Sequence, residues 1–119
     1  MAQATLDFTL THEEFLDLVD TAGFAIGCWA RPPAVVDEDV PSYTVQDHES
    51  GDKYVITPAS LSQTIADIWT GNHPGSATLQ NASIWDDLRR IVVLRDMGAG
   101  ILTMNYLVQQ HCFLKLVYS

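Results

Sequence analysis

Apolar positions recur along this chain with two different periods, and the places where the period changes mark its elements. From His12 onward, Phe15, Leu18, Val19 and Ala22 keep the spacing of one helical face, while Glu13, Asp17 and Asp20 fall on the opposite, solvated face. The start of that helix is doubly marked. Thr11 is placed to cap the amide of Glu14 while Glu14 reaches back to Thr11, and Leu10 is placed to pack on Phe15. Gly23 stands where a left-handed C-terminal residue is wanted, so the helix is expected to close there.

Phe24 to Ala30 is short, aromatic and β-branched, and reads as a strand that Arg31-Pro32-Pro33 ends. Residues 31–41 then read as an exposed loop with stiff prolines and the acids Asp37, Glu38 and Asp39. Ser42 to His48 and Lys53 to Ile56 flank Glu49-Ser50-Gly51-Asp52, a turn composition. Tyr43, Val45 and Asp47 share one face of the first of these strands, and Tyr54 and Ile56 one face of the second. A three-stranded antiparallel meander is the economical arrangement.

Ile56-Thr57-Pro58 repeats the helix-start chemistry, with Thr57 as cap, Pro58 in the first turn and Ile56 facing Leu61. This second helix presents Leu61, Ile65, Ile68 and Trp69 and ends at Gly71; the connection to Asn81 reads as a loop. Ser83 is the expected cap of a third helix with Asp86 and Asp87 in its first turn, Arg89, Arg90 and Arg95 further on, and Ile84, Leu88, Ile91 and Val92 as its buried stripe. A strand over Ile91 to Leu94 competes with it. The segment from Ile101 to about Leu116 is apolar on almost every side and is expected to form the central helix of the core. The fold class is α+β: a meander packed with about four helices in one domain of 119 residues.

Charge sharpens this picture. The formal net charge is −9, and residues 1–52 hold eleven of the fifteen carboxylates against the single Arg31, which makes that half about −10 and the remainder about +1. A phosphate binder needs a basic stripe, so direct contact with nucleic acid or an anionic membrane is disfavoured and a partner protein with a basic surface is favoured. The candidate contacts are Glu13, Asp17, Asp20, Asp37, Glu38, Asp39, Asp47 and Glu49. The stretch without charge from Met97 to Leu114 is interrupted by glycines and polar residues and is no membrane span. The first residues have neither a basic nor an apolar leader region, so a cytosolic setting is expected.

Motif chemistry is sparse. His12, His48, His73 and His111 lie in separate elements with no ligand spacing between them, so no metal or cofactor is expected. Cys28 and Cys112 read as two free, buried thiols, with a disulfide as the alternative. His111 and Cys112 are adjacent on a helix and point about 100° apart, which disfavours a dyad. Asp47 with Glu49 reads as a solvated turn, Asp37-Glu38-Asp39 lacks calcium-loop spacing, Gly98-x-Gly100 is no phosphate loop, and Ser60 and Ser83 have no nucleophile context. The aromatic residues offer a second kind of site: a small-molecule pocket around Trp29, Arg31, Tyr43 and Tyr54.

Two stretches carry a resemblance. Gly27-Cys28-Trp29-Ala30, followed after the loop by Tyr43-Thr44-Val45-Gln46-Asp47 and the hairpin into Ile56-Thr57-Pro58, and the ending Gln109-x-x-x-Phe113-x-x-x-Val117-Tyr118-Ser119, resemble a group of small accessory proteins of actinobacterial phages and mobile elements. The group typically ends in Val-Tyr-Gly, carries Ala-Asp where this chain has Met104-Asn105, and has Gly where this chain has Leu114. The resemblance implies an accessory phage protein in the host cytosol and assigns no catalytic residues. Joined to the charge distribution, it leads to the expectation of a non-enzymatic inhibitor or modulator of a host protein, with nucleic-acid-binding defence machinery as one target class. A small-molecule binder and a structural or assembly protein are the alternatives. An apolar helix is hard to cover within so short a chain, so a homo-oligomer is expected under each of them.

Overall fold

A computed structural model describes residues 7–35, 42–115 and 117. Its elements run α1 (His12–Ala25), β1 (Ala30–Val35), β2 (Tyr43–Asp47), β3 (Lys53–Ile56), α2 (Pro58–Thr70), a short 3-10 helix (Pro74–Thr78), α3 (Ala82–Leu94) and α4 (Ile101–Phe113). The strands form one antiparallel sheet in the order β1-β2-β3, which gives the α+β meander. α4 packs against α1, α2 and α3, and α1 leans on β1.

Local chemistry sets most boundaries where the sequence placed them. Thr11 and Glu14 form the reciprocal capping box of α1, and Leu10 and Phe15 are both buried beside it. At α2, Thr57 Oγ1 accepts the Ser60 amide while Ser60 Oγ accepts the Thr57 amide, Pro58 fills the first turn, and Gly71 ends the helix with φ of 82°. Gly51 turns the β2–β3 hairpin with φ of 76°.

The region between α1 and β1 departs from expectation. Gly23 does not end α1; the helix continues through Ala25, because Ala25 and Ile26 prolong the apolar stripe of Phe15, Leu18, Val19 and Ala22 and are themselves buried. Residues 26–29 form a turn, and the strand begins at Ala30, where the sequence had it end. Pro32 and Pro33 lie inside β1. They are tolerated because β1 is an edge strand and its register with β2 shifts between Arg31 and Ala34, so missing amide donors interrupt no second ladder. The expected loop therefore loses residues 31–35 to the sheet, and its acids Asp37, Glu38 and Asp39 lie outside the described residues.

Further along, Asn81 rather than Ser83 caps α3: its Oδ1 accepts the amides of Ser83 at 2.9 Å and Ile84 at 3.3 Å. The helix starts a residue before Ser83, so Asp86 and Asp87 sit beyond its first turn. Asp86 pairs with Arg90 at 3.1 Å, whereas Asp87 Oδ2 accepts the Gly100 amide at 3.1 Å and the Thr103 hydroxyl at 2.6 Å, so one carboxylate of α3 caps the start of α4. Residues 91–94 are helical, which decides against the competing strand. Asn81→Ala is expected to cost about 1 kcal/mol in urea unfolding, and Ser83→Ala close to nothing.

α4 is central as expected and shorter than expected, ending where Leu114 takes a left-handed φ of 60°. Thr103, Met104 and Tyr106 through Gln110 are all buried within one chain. The covering problem that suggested an oligomer is thus met by α1, α2 and α3 over this stretch. The apolar residues left exposed at the α3–α4 corner are Val93, Leu94, Ile101 and Leu102.

Candidate functional site

Of the acids proposed as contacts, the structure gathers three into one stripe. Glu13, Asp17 and Asp20 are exposed on α1, and at about 100° per residue they fall within roughly 60° of each other around the helix axis. The same stripe continues to Phe24, which the extended α1 carries in its last turn and which is 82% exposed. Among the described residues no ion pair engages Glu13, Asp17 or Asp20. The neighbouring Glu14 is instead tied inward: Arg95 approaches it at 3.6 Å, donates to the Thr9 carbonyl at 2.8 Å and stacks its guanidinium 4.8 Å from the Phe8 ring centroid.

The hairpin tip lies alongside this helix end, because the His48 amide donates to the Trp29 carbonyl at 2.9 Å. His48, Glu49, Ser50, Gly51 and Asp52 are exposed there, as are Gly27 and Cys28 in the turn after α1. Asp47 is a correction. It is 5% exposed rather than solvated, and its Oδ1 accepts the Glu49 amide at 2.9 Å, so it shapes the turn. Glu49 remains on the surface.

The aromatic residues are brought together, but as packing. Trp29, 3% exposed, and Tyr54 both pack on Phe113, with ring centroids 5.5 and 5.2 Å away, the latter edge-on; Tyr43 packs on Phe15 at 5.2 Å. The Trp29 indole donates to Asn105 Oδ1 at 2.8 Å, the same oxygen accepts Gln109 Nε2 at 3.1 Å, and Gln109 Oε1 accepts the Val117 amide at 2.8 Å. Trp29 and the α4 residues Asn105, Gln109 and Phe113 thus meet in one cluster, and at position 105 the task is hydrogen-bond acceptance. Arg31 is exposed and pairs through its backbone with Gln46. Trp29, Arg31, Tyr43 and Tyr54 do not border a cavity of about 590 Å³ that lies between the 3-10 helix, α3 and α4.

Side chains with reactive potential are held quiet. His111 Nε2 lies 2.8 Å from Ser60 Oγ, and its Nδ1 faces the Cys112 sulfur at 3.9 Å instead of a carboxylate. Burial lowers the His111 pKa, and burial together with nearby Asp47 pushes the Cys112 thiol up to about 12, so neither an imidazolium nor a thiolate forms readily at this pair. Among the described residues no group of three His, Cys, Asp or Glu side chains is arranged to hold a metal ion. No helix among them is long and apolar enough to cross a membrane. Cys28 is exposed, contrary to the expectation of two buried thiols. A thiol reagent at mildly alkaline pH is therefore expected to label Cys28 at once and Cys112 only on unfolding.

The raised thiol pKa has a linked effect on stability. Above about pH 9 the unfolded chain ionises Cys112 while the folded chain keeps its proton, so stability falls as pH rises toward the folded value, with a limiting slope of about 1.4 kcal/mol per pH unit for one thiol. Cys112→Ala is expected to remove that slope from a pH series of urea midpoints.

Comparisons with family models, with curated proteins and with solved structures find no match to this chain. The site must be read from its own residues. Phe24 is the residue that the local signals misplace in a strand, although its spacing of four from Asp20 sets it in the helical stripe.

Proposed function

We propose that this protein is a non-enzymatic binding protein whose acidic face docks on a basic surface of a host protein and inhibits or modulates it, in the cytosol of the host cell. The observation that carries this reading is Phe24, a large aromatic 82% exposed at the end of a stripe of carboxylates that no ion pair engages among the described residues. An isolated exposed aromatic is ordinary. One that continues the line of Glu13, Asp17 and Asp20 has the composition of an interface, an apolar anchor with a charged rim. The rim would steer a basic partner and the ring would hold it.

A second copy of this chain is a poorer occupant, since two such faces would repel. Nucleic-acid-binding defence proteins have surfaces of the required sign, and the resemblance to phage accessory proteins supplies a setting in which blocking one is useful. Asp37, Glu38 and Asp39 would enlarge the negative field, as would Glu49 and Asp52 at the hairpin tip.

The test is affinity capture from host lysate at about 0.05 M and about 0.5 M salt, with the intact protein beside an Asp17→Lys/Asp20→Lys variant. The reading expects a basic protein retained at low salt by the intact chain, released at high salt, and missed by the variant. Capture that ignores both salt and charge reversal would overturn it.

A further inference from the structure

We infer that this protein pairs with a second copy of itself along the outer edge of β3, joining two three-stranded sheets into one of six strands. In an antiparallel ladder, successive residues turn their amide and carbonyl alternately toward one neighbouring strand and away from it. The phase is set at the hairpin, where the Asp47 amide donates to the Asp52 carbonyl at 3.0 Å. With Val45 opposite Tyr54 and Tyr43 opposite Ile56, Tyr54 and Ile56 turn their backbone groups to β2, and Lys53 and Val55 turn theirs outward. Among the described residues no strand lies beyond β3.

The outward series is closed at both ends within the chain. The Gly51 carbonyl accepts Gln46 Nε2 at 3.3 Å, and the Thr57 amide donates to Ser60 Oγ at 2.9 Å as part of the α2 cap. Between these ends, the amides and carbonyls of Lys53 and Val55 have no protein partner among the described residues. Both residues are exposed, Val55 to 56%. The two edges of the sheet also differ. β1 carries Pro32, Pro33 and a register shift, which blunt an edge against further pairing, whereas β3 has neither a proline nor a register shift.

A second copy fits this edge in both pattern and charge. A two-fold axis at Tyr54 sets Lys53 opposite Val55 of the second copy, and Val55 opposite its Lys53, so the free amides and carbonyls of both edges all find partners. No like charges face each other: the Lys53 stem lies along Val55, and Asp52 comes opposite Ile56, beside the start of the other copy's α2, whose first turn holds no acidic residue. The long-range field agrees. α1 leans on β1, at the far side of the sheet from β3, so joining the β3 edges sets the two acidic stripes at opposite ends of the assembly and leaves both open. The pairing is therefore independent of the docking reading of α1 and compatible with it.

Sedimentation equilibrium of the intact chain over about 1–500 µM, at about 0.15 M salt, is expected to show monomer and dimer and no larger species, because the dimer leaves only the proline-bearing β1 edges outside. Amide exchange is expected to slow at Lys53 and Val55 as concentration rises, while Tyr54 and Ile56, already held by β2, stay unchanged. Val55→Pro deletes an outward amide and no bond within the sheet, and is expected to give a folded monomer. Val55→Lys, at an exposed position, sets two lysines opposite each other twice across the axis and is expected to weaken the dimer about tenfold. Val55→Lys/Lys53→Glu is expected to restore it, since each lysine then faces a carboxylate. A chain that stays monomeric over the whole range would overturn the proposal. So would a dimer that Val55→Pro leaves intact, or a double variant no tighter than Val55→Lys.

Discussion

Trp29→Ala is expected to lower the unfolding free energy by roughly 4 kcal/mol. Trp29 is 3% exposed, so the substitution opens a void against Phe113 and deletes the donor that Asn105 Oδ1 accepts. The effect should spread along the chain. Asn105 also receives Gln109, and Gln109 holds the Val117 amide, so the return of the last described residue onto α4 depends on the same network. Domains of this size are stable by about 5–15 kcal/mol, and the variant should therefore unfold at markedly lower urea while keeping a cooperative transition. Trp29→Phe preserves most of the packing and loses the indole hydrogen bond; about 1–2 kcal/mol is expected for it, and an equal loss from both variants would show that the hydrogen bond, not the volume, dominates.

Phe24→Ala is expected to do the reverse, leaving stability alone and removing function. The side chain is 82% exposed in the last turn of α1, and Ala is the better helix former, so the unfolding midpoint should move by no more than about 0.5 kcal/mol. Affinity for the proposed basic partner should fall by about 30-fold or more, the loss typical of an aromatic anchor worth at least ~2 kcal/mol. The split between the two readouts separates this residue from every core aromatic. A stability loss comparable to that of Trp29→Ala would mean that Phe24 is covered in solution.

What the sequence made legible follows from how local each signal is. The capping box at Thr11, the cap at Thr57, the hairpin at Gly51 and the stop at Gly71 are each written within a few neighbouring residues, and all four stand as expected. The α1–β1 boundary was misread because Gly23 and the two prolines are local stop signals that tertiary packing overrode: the apolar stripe ran on to Ile26, and an edge strand needs no amide from Pro32 or Pro33. The cap of α3 moved to Asn81 because two good capping residues stood close together and only one met the start of the helix.

The site was legible to the extent that it is charged and solvated. Glu13, Asp17 and Asp20 needed only a helical period to be placed together, and their exposure follows from their polarity. Asp47 shows the limit of that inference, since a carboxylate that accepts a turn amide is buried by the turn it builds. Phe24 depended on where α1 ends. The cavity could not be read at all, because it arises from residues about thirty positions apart in sequence.

Amide hydrogen exchange on this protein, free and with a basic protein retained in the capture experiment, tests the central claim most directly. The account predicts slowed exchange in the outer turns of α1 around Glu13 to Phe24 and in the turns at 26–29 and 48–52, with the α2 and α3 amides unchanged. Protection confined to the 3-10 helix and the end of α4, with α1 exchanging as in the free protein, would contradict it and place the partner on the other side of the molecule's chemistry.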